Sequence, residues 1–351
     1  MSTWYAIGMK QPRKAKTMRL EEQDKAAIAA LRDYYALSSD NEAIRFALRR
    51  AHREIEQQAP THHAPKGRPI HPPLGKTEAF WAVHCKTCGT QFAPSEQPPE
   101  ACPICLDERQ YVGYGGQQWT TLAQMQKDGF RNEFREHEPH LIGIGTAPSF
   151  AIGERALLVQ NEHGNVLWDC MSLIDDETVA AIEQLGGLTA IAISHPHYYS
   201  TMVEWADRFQ VPIYLHANDQ EWVMRPSERI TFWSGDIHAL SDDITLIRLG
   251  GHFPGGTVLH WKRGADGKGA LLSGDIIQVV TDRRWVSFMY SYPNLIPLSA
   301  ADVQRIKDAI TPFQFDRLYG AWFERVVTHH AHDTVLRSAD RYIHALETVH
   351  R

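Results

Sequence analysis

The stretch that decides the fold is Leu188-Thr-Ala-Ile-Ala-Ile-Ser-His-Pro-His-Tyr-Tyr-Ser200. Its first half, residues 188–194, is a short apolar run, which is typical of a strand buried on both faces in an α/β protein. Its second half places His195 and His197 two residues apart. In an extended segment such residues point to the same side. We therefore expect two imidazoles that bind one metal ion directly after a central strand.

Two later patterns supply further ligands. The loop Gly250-Gly-His-Phe-Pro-Gly-Gly256 follows a predicted strand, and its glycines allow a sharp turn around His252. The run Leu271-Leu-Ser-Gly-Asp275 places the carboxylate of Asp275 at the end of another buried strand. Because loops at strand ends are held by a rigid sheet, side chains from all three patterns can converge.

In this order the three patterns resemble those of the metallo-β-lactamase-fold hydrolases, over roughly residues 140–351. The resemblance implies an αβ/βα sandwich. It also implies that His195 and His197 correspond to the first two histidines of the HxHxDH motif, His252 to the histidine of the glycine loop, and Asp275 to the carboxylate that bridges two metals. The run Val166-Leu-Trp-Asp-Cys170 resembles the early strand of that family, whose final Asp supports the ligands.

The chain departs from this family at the second metal. Tyr199 and Ser200 stand where the motif has Asp and His, and the expected final Gly-His is replaced by Tyr319-Gly-Ala-Trp322. His329, His330 and His332 follow some residues later, and we expect them at the surface near a helix start rather than at the site. The sequence therefore predicts a single catalytic ion.

A zinc ion held by His195, His197 and His252 keeps its positive charge and lowers the pKa of bound water to about 7. Asp275 is predicted as a fourth ligand or as the group that orients this water, and Tyr198 or Tyr199 as a donor to a developing oxyanion. Because phosphodiester cleavage commonly uses two metals, an ester, thioester or lactone is the favoured small-molecule substrate. Two alternatives stay open: an Fe²⁺ oxygenase site built from two histidines and one carboxylate, and a member of the superfamily without catalysis.

Four of the five cysteines form a second predicted metal site. Cys85-Lys-Thr-Cys88 and Cys102-Pro-Ile-Cys105 are separated by 13 residues, the pattern of a zinc ribbon. Four thiolates leave no open position, so a structural Zn²⁺ is expected, with iron as the minority choice. Paired CxxC motifs in a chain with so few cysteines indicate a cytoplasmic metal site rather than disulfides.

The 351-residue chain divides into four predicted parts: an N-terminal segment at 1–57, a Pro/His-rich linker at 58–78, the zinc ribbon at 79–107 and an α/β domain at 108–351. The composition is 43% apolar and 22% charged, which supports a full-sized core. No apolar run approaches the length of a membrane span, and the N-terminus has no secretory pattern.

The N-terminal segment is basic, with eleven Lys/Arg against eight Asp/Glu in residues 1–60. Residues 17–55 resemble ribbon-helix-helix DNA-binding domains, in which two chains pair their strands in the major groove. The resemblance implies base contacts from Thr17 and Arg19 and phosphate contacts from Lys14 and Lys16. Two interpretations stay open: a reader of duplex DNA, with the α/β domain as a ligand sensor, and a module that only forms a homodimer.

Overall fold

The computed structural model describes residues 82–348 and, before them, Ala29 alone, which lies in a helix. The strands are β1 His84–Cys85, β2 Trp119–Thr120, β3 Arg131–Glu138, β4 Leu141–Ala147, β5 Arg155–Val159, β6 Val166–Trp168, β7 Ala190–Ala192, β8 Ile213–His216, β9 Ile230–Trp233, β10 Ile237–Ala239, β11 Ile244–Arg248, β12 Thr257–Trp261, β13 Ala270–Gly274, β14 Gln278–Val279, β15 Val286–Ser287, β16 Met289–Ser291, β17 Ile296–Pro297, β18 Arg317–Gly320 and β19 Val326–Val327. The α-helices are α1 Pro103–Leu106, α2 Leu122–Lys127, α3 Asp176–Gln184, α4 Met202–Phe209, α5 Ala300–Ile310 and α6 Ala331–Glu347. Two 3₁₀-helices span Pro196–Tyr198 and Ala217–Trp222.

The larger main sheet has seven strands in the order β3-β4-β5-β6-β7-β8-β9. Strands β3 to β6 form an antiparallel meander, whereas β6 to β9 run parallel. Parallel neighbours require a crossover, and α3 and α4 provide it between β6 and β7 and between β7 and β8. Helix α3 starts where the Asp175 side chain accepts a hydrogen bond from the Thr178 amide at 2.7 Å, an N-cap. The sequence pattern predicts a hairpin over residues 155–169 and helices over 175–185 and 202–209, and the structure has all three, with the first helix one residue shorter at each end.

The second main sheet has six strands in the order β10-β11-β12-β13-β18-β19. Its neighbours are antiparallel except for β13 and β18, which run parallel. Helix α5 lies in the connection between these two strands, and α6 follows β19. Asp275 follows β13, so the predicted carboxylate is carried by a strand in the interior of this sheet.

The two sheets pack face to face with helices outside each. In β5, Leu157 and Val159 belong to the cluster between the sheets, whereas Ala156 and Leu158 belong to the cluster that includes residues of α3 and α4. This alternation follows from the period of two in a strand. On the other side, α5 and α6 cover the outer face of the second sheet. The layers are helix, sheet, sheet and helix, so the predicted αβ/βα sandwich is confirmed.

The cysteine-rich part forms a small unit packed against the sandwich. Strand β1 pairs antiparallel with β2, and helix α1 lies between them in sequence. The strand that completes this two-stranded sheet, Trp119–Thr120, lies beyond the predicted boundary at residue 107. Residues 84–120 are therefore called the ribbon below.

The predictions for residues 1–57 and 58–78 fall outside the described residues, apart from Ala29. DNA contacts by Lys14, Lys16, Thr17 and Arg19, and dimerisation through this segment, stay predictions. Among residues 82–348, no helix has both the length and the apolar character that a bilayer crossing requires.

Candidate metal centres

The segment that carries His195 and His197 turns sharply after strand β7. His195 is extended, with φ −171° and ψ 173°, and residues Pro196–Tyr198 form a 3₁₀ turn. The two rings do lie on one side, as expected, but the predicted cause is wrong: a turn brings them together, not an extended segment. The two ring centroids lie 5.1 Å apart.

The glycine loop positions His252. Gly250 and Gly251 have φ values of +64° and +81°, which an L side chain rarely adopts. The loop is closed by the Gly255 amide, which donates to the Asp219 carboxylate at 2.7 Å. His252 Nδ1 lies 2.7 Å from the Tyr290 carbonyl oxygen. Because this oxygen only accepts, the proton sits on Nδ1 and the Nε2 lone pair is available to a metal.

The three histidines and Asp275 converge on one point, called the histidine–aspartate centre below. Their ligand atoms all lie within 4.8 Å of one another. His195 Nε2 is 3.1 Å from Asp275 Oδ1, and His252 Nε2 is 3.2 Å from His197 Nδ1. All four residues are buried, with exposed fractions of 1–4%. Neither His195 Nε2 nor Asp275 Oδ1 makes a hydrogen bond to any residue that the structure describes, so two buried polar atoms face each other without a hydrogen-bond partner there. This arrangement fits a divalent cation between them.

Burial favours the metal-binding form of these histidines. Desolvation lowers the pKa of His195 and His197 well below 6.5 and the pKa of His252 to about 4. The neutral imidazole that results is the form that ligates metals. Burial also raises the pKa of Asp275 to about 7, because desolvation disfavours its charged form. A bound cation would stabilise the charged form.

Asp169 supports the first ligand through Ser194. The Asp169 carboxylate accepts a hydrogen bond from the Ser194 amide at 2.8 Å, and Ser194 Oγ lies 2.9 Å from His195 Nδ1. The supporting role that the family resemblance implied for Asp169 thus has a direct geometric basis.

Replacement of Ser194 with alanine is expected to weaken metal binding at this centre about 10-fold, because partners behind a ligand orient it. Chelator competition on the purified protein measures the affinity. Ser338→Ala is the matched control, since Ser338 is equally buried and accepts a single hydrogen bond from the Val286 amide, in the outer layer of the second sheet. Equal affinities in the wild type and Ser194→Ala would show that Ser194 does not orient His195.

Tyr199 and Ser200, which replace the Asp and His of the HxHxDH motif, make contacts within the core and with the ribbon. Tyr199 is buried in the core and donates to the Asp219 carbonyl oxygen at 3.4 Å. Ser200 Oγ lies 3.0 Å from Ser172 Oγ, which in turn contacts the Gly89 carbonyl oxygen of the ribbon. The hydroxyl of Tyr198 is buried in the same core without a partner among the described residues. Both tyrosines are buried, and their predicted oxyanion role stays a prediction.

The late histidines lie away from this centre. His329 and His330 are exposed at the start of α6, where the His330 amide donates to Asp316 at 2.8 Å. The group of ligand atoms that includes His195 contains none of them. Their predicted position at a helix start is confirmed.

The second candidate centre, called the four-cysteine centre below, holds Cys85, Cys88, Cys102 and Cys105. Their sulfur atoms also lie within 4.8 Å of one another, and all four are buried. Distances of 3.4 Å between Cys85 and Cys105 and 3.6 Å between Cys88 and Cys102 are far longer than a disulfide bond of about 2.05 Å. Gly89 has φ +79°, as the knuckle requires. The side-chain amide of Gln117 donates to Cys85 Sγ at 3.2 Å, as hydrogen-bond partners of a metal-binding thiolate do.

The comparison with curated proteins decides the family. The chain is 56% identical over 265 residues to the protein named "Uncharacterized protein YmaE" of Bacillus subtilis (strain 168). This match covers 75% of the chain and 96% of the relative. The chain belongs to the YmaE family. No family model matches it.

Solved structures similar to this YmaE-family chain are metallo-β-lactamases. FIM-1 from Pseudomonas aeruginosa matches with a TM-score of 0.46 and 12% identity, over 60% of this chain and 96% of that one. The enzyme from Erythrobacter litoralis matches with a TM-score of 0.44 and 16% identity, over 60% of this chain and 96% of that one.

Sequence reasoning missed two residues around the site of this YmaE-family chain. Asp219, in the 3₁₀-helix after β8, closes the glycine loop from a distant part of the sequence. Arg109, in the ribbon, stacks its guanidinium carbon 3.9 Å from the centroid of the Phe253 ring, beside His252. An isolated Asp or Arg in a loop carries no signal of such a contact, because the partners are more than thirty residues away.

Proposed function

We propose that the protein is a metal-dependent hydrolase of the metallo-β-lactamase superfamily with one catalytic ion. The observation that carries this proposal is the convergence of four buried ligand atoms from three separate loops within 4.8 Å. In a structural zinc site, protein side chains occupy all four coordination positions. The four-cysteine centre has such a ligand set. The histidine–aspartate centre differs because three imidazoles are a ligand set of catalytic zinc, which leaves the fourth position to water when Asp275 does not bind the ion.

The donor set fits a hard or borderline divalent ion. Three neutral imidazoles and one carboxylate suit Zn²⁺, and two histidines with the carboxylate also suit Fe²⁺. When bound, such an ion supplies Lewis acidity and hydroxide near neutral pH. We favour zinc in both centres, with iron in the histidine–aspartate centre as the alternative that metal analysis decides.

The residues of the chain have distinct proposed tasks. His195, His197 and His252 hold the ion, and Asp275 stays outside the three-histidine set, where it orients or deprotonates the attacking water; coordination of the ion by Asp275 is the alternative. The Tyr292 hydroxyl donates to the Asp275 carbonyl oxygen at 2.7 Å and so holds the backbone that carries this carboxylate. Phe253 contacts the rings of all three histidines, with centroids 4.9–5.4 Å away, and keeps that side of the site apolar.

The number of clustered ligand sets supports our choice of substrate class. The only other group of clustered ligand atoms among the described residues is the four-cysteine centre, so the two-metal clamp common in phosphodiester cleavage has no second set of ligands there. We therefore propose an ester, thioester or lactone as the substrate.

Replacement of Asp275 with asparagine is expected to lower kcat about 100-fold toward the best substrate in an ester, thioester and lactone screen, because general acid–base help is lost. The same screen is run on chelated and metal-restored protein, with a phosphodiester included. Asp266→Asn is the control, since Asp266 is exposed and, among the residues that the structure describes, forms its ion pair with Arg317 alone. Undiminished hydrolysis after chelation, or in Asp275→Asn, would contradict the proposed function.

A further inference from the structure

The ribbon contacts the loop that carries His252. Arg109 Nη1 lies 3.4 Å from the His252 carbonyl oxygen, and the guanidinium carbon lies 3.9 Å from the Phe253 ring centroid. Asp107 fixes this guanidinium with two hydrogen bonds, from Nε at 2.6 Å and from Nη2 at 2.9 Å. Both residues closely follow Cys105, so their position depends on the fold of the ribbon.

The same ribbon segment also contacts the strand that orients the His252 ring. The Tyr290 carbonyl oxygen is the partner of His252 Nδ1, and the Tyr290 hydroxyl donates to the Glu108 carboxylate at 2.7 Å. The side-chain amide of Asn294 donates to the carbonyl oxygens of Glu108 and Gln110 at 2.8 and 2.9 Å. Residues 107–110 therefore hold His252 at two points: Arg109 contacts its carbonyl oxygen, and Glu108 binds Tyr290, whose carbonyl oxygen contacts its ring.

The other half of the ribbon contacts the loop that carries the first two histidines. The Gln91 amide donates to the Ser200 carbonyl oxygen at 3.1 Å. Ser172 Oγ donates to the Gly89 carbonyl oxygen at 3.4 Å, and a Cβ on Gly89 would lie 2.4 Å from that same hydroxyl. The knuckle of Cys85 and Cys88 therefore lies directly against the end of the histidine segment.

We propose that the metal-binding ribbon positions the ligands of the histidine–aspartate centre, with Arg109 as the positioning residue. This inference rests on the proposed function, because it assumes that the histidine–aspartate centre binds the catalytic metal. The two halves of the ribbon contact the two histidine loops, and a metal in the four-cysteine centre holds those halves together. Loss of the structural metal then weakens binding of the catalytic metal.

The direction of the change in metal affinity distinguishes a positioning role of Arg109 from an effect of its charge. Arg109 is a cation close to a cationic centre, so removal of its charge alone would tighten metal binding. Removal of its contacts with Asp107 and His252 would instead loosen the loop and weaken metal binding. Lysine at this position keeps the charge but lacks the planar fork that binds Asp107 and reaches His252.

The chain offers a matched control for Arg109. Arg284 forms the same local pair with Asp282, from Nε and Nη2 at 2.8 Å each, two residues apart as in the ribbon. The side chain of Arg284 is 80% exposed, whereas that of Arg109 is 9% exposed. Arg284→Gln therefore removes the same ion pair without touching a ligand loop.

The test measures metal affinity at the histidine–aspartate centre of the full chain by chelator competition, for R109Q, R109K, D107N and R284Q. Co²⁺ is the probe, and its ligand-field spectrum reports the geometry of the centre. We expect R109Q, R109K and D107N to bind about 10-fold more weakly, with an altered spectrum, and R284Q to match the wild type. Unchanged or tighter binding in both R109Q and D107N would overturn the proposal.

The outcomes also separate this inference from the proposed function. Two metal equivalents in the wild type with equal affinity in R109Q and D107N would leave the proposed function standing and remove the positioning role. A wild type that binds metal only through sulfur would overturn both. Thermal unfolding of each variant serves as the check on folding.

Discussion

Alanine at both His195 and His252 is expected to lower the metal content of the purified protein from about two equivalents per chain to about one. These side chains come from different loops, and each supplies one ligand atom to a buried group of four. Without them, His197 and Asp275 supply two donors, which cannot hold zinc against a chelator. Elemental analysis after dialysis against a chelator measures the change.

The control for this experiment is His216→Ala. His216 is also buried, but its ring is already satisfied by the Gly235 carbonyl oxygen at 3.0 Å and the Asn218 amide at 3.2 Å. We expect this variant to retain the metal content of the wild type. A double variant that keeps both equivalents would mean that the histidines do not hold the second ion.

Gly269→Ala is expected to lower the free energy of unfolding by about 3 kcal/mol, because strain and a steric clash add. Gly269 has φ +86°, and a Cβ there would lie 2.3 Å from the Gln314 carbonyl oxygen. That oxygen cannot move away freely, since it lies 2.8 Å from His260 Nε2. The Gly269 carbonyl oxygen accepts from the Asp316 amide at 2.9 Å, next to the start of the β13–β18 pair. Urea unfolding of the metal-loaded protein measures the loss.

Gly267→Ala separates the two contributions. Gly267 lies in the same loop with φ +84°, but a Cβ there would meet no atom within 4 Å. The expected loss is about 1 kcal/mol, from the left-handed backbone alone. Equal losses in the two variants would show that the β12–β13 loop accommodates a side chain at Gly269.

The sandwich was predictable where hydrophobic pattern and local signals agree. Strand β12 matches its predicted bounds, residues 257–261, because every residue in it is buried and its composition is rich in β-favouring residues. Helix α4 matches residues 202–209 because its apolar residues lie on one face. Strand β3 was missed, since Arg131–Glu138 is largely charged and exposed, as an edge strand can be.

The ligands were predictable because they stand in short local motifs. The contacts that the ribbon makes with the ligand loops join residues far apart in sequence and were not predictable. The CxxC pairs and the HxH pair stand in short motifs, and the glycines mark His252. By contrast, Arg109 reaches the His252 carbonyl oxygen across 143 residues of sequence. Contacts of that kind arise from the packing of the ribbon on the sandwich, and the hydrophobic periodicity of the sequence does not predict that packing.

Anomalous diffraction from crystals of the purified protein, at the zinc and iron absorption edges, tests the central claim most directly. Two peaks are predicted per chain: one among the four cysteine sulfurs and one about 2.0–2.2 Å from a ring nitrogen of each of His195, His197 and His252. A single peak at the cysteines, with the three imidazole rings turned away from one another, would contradict it.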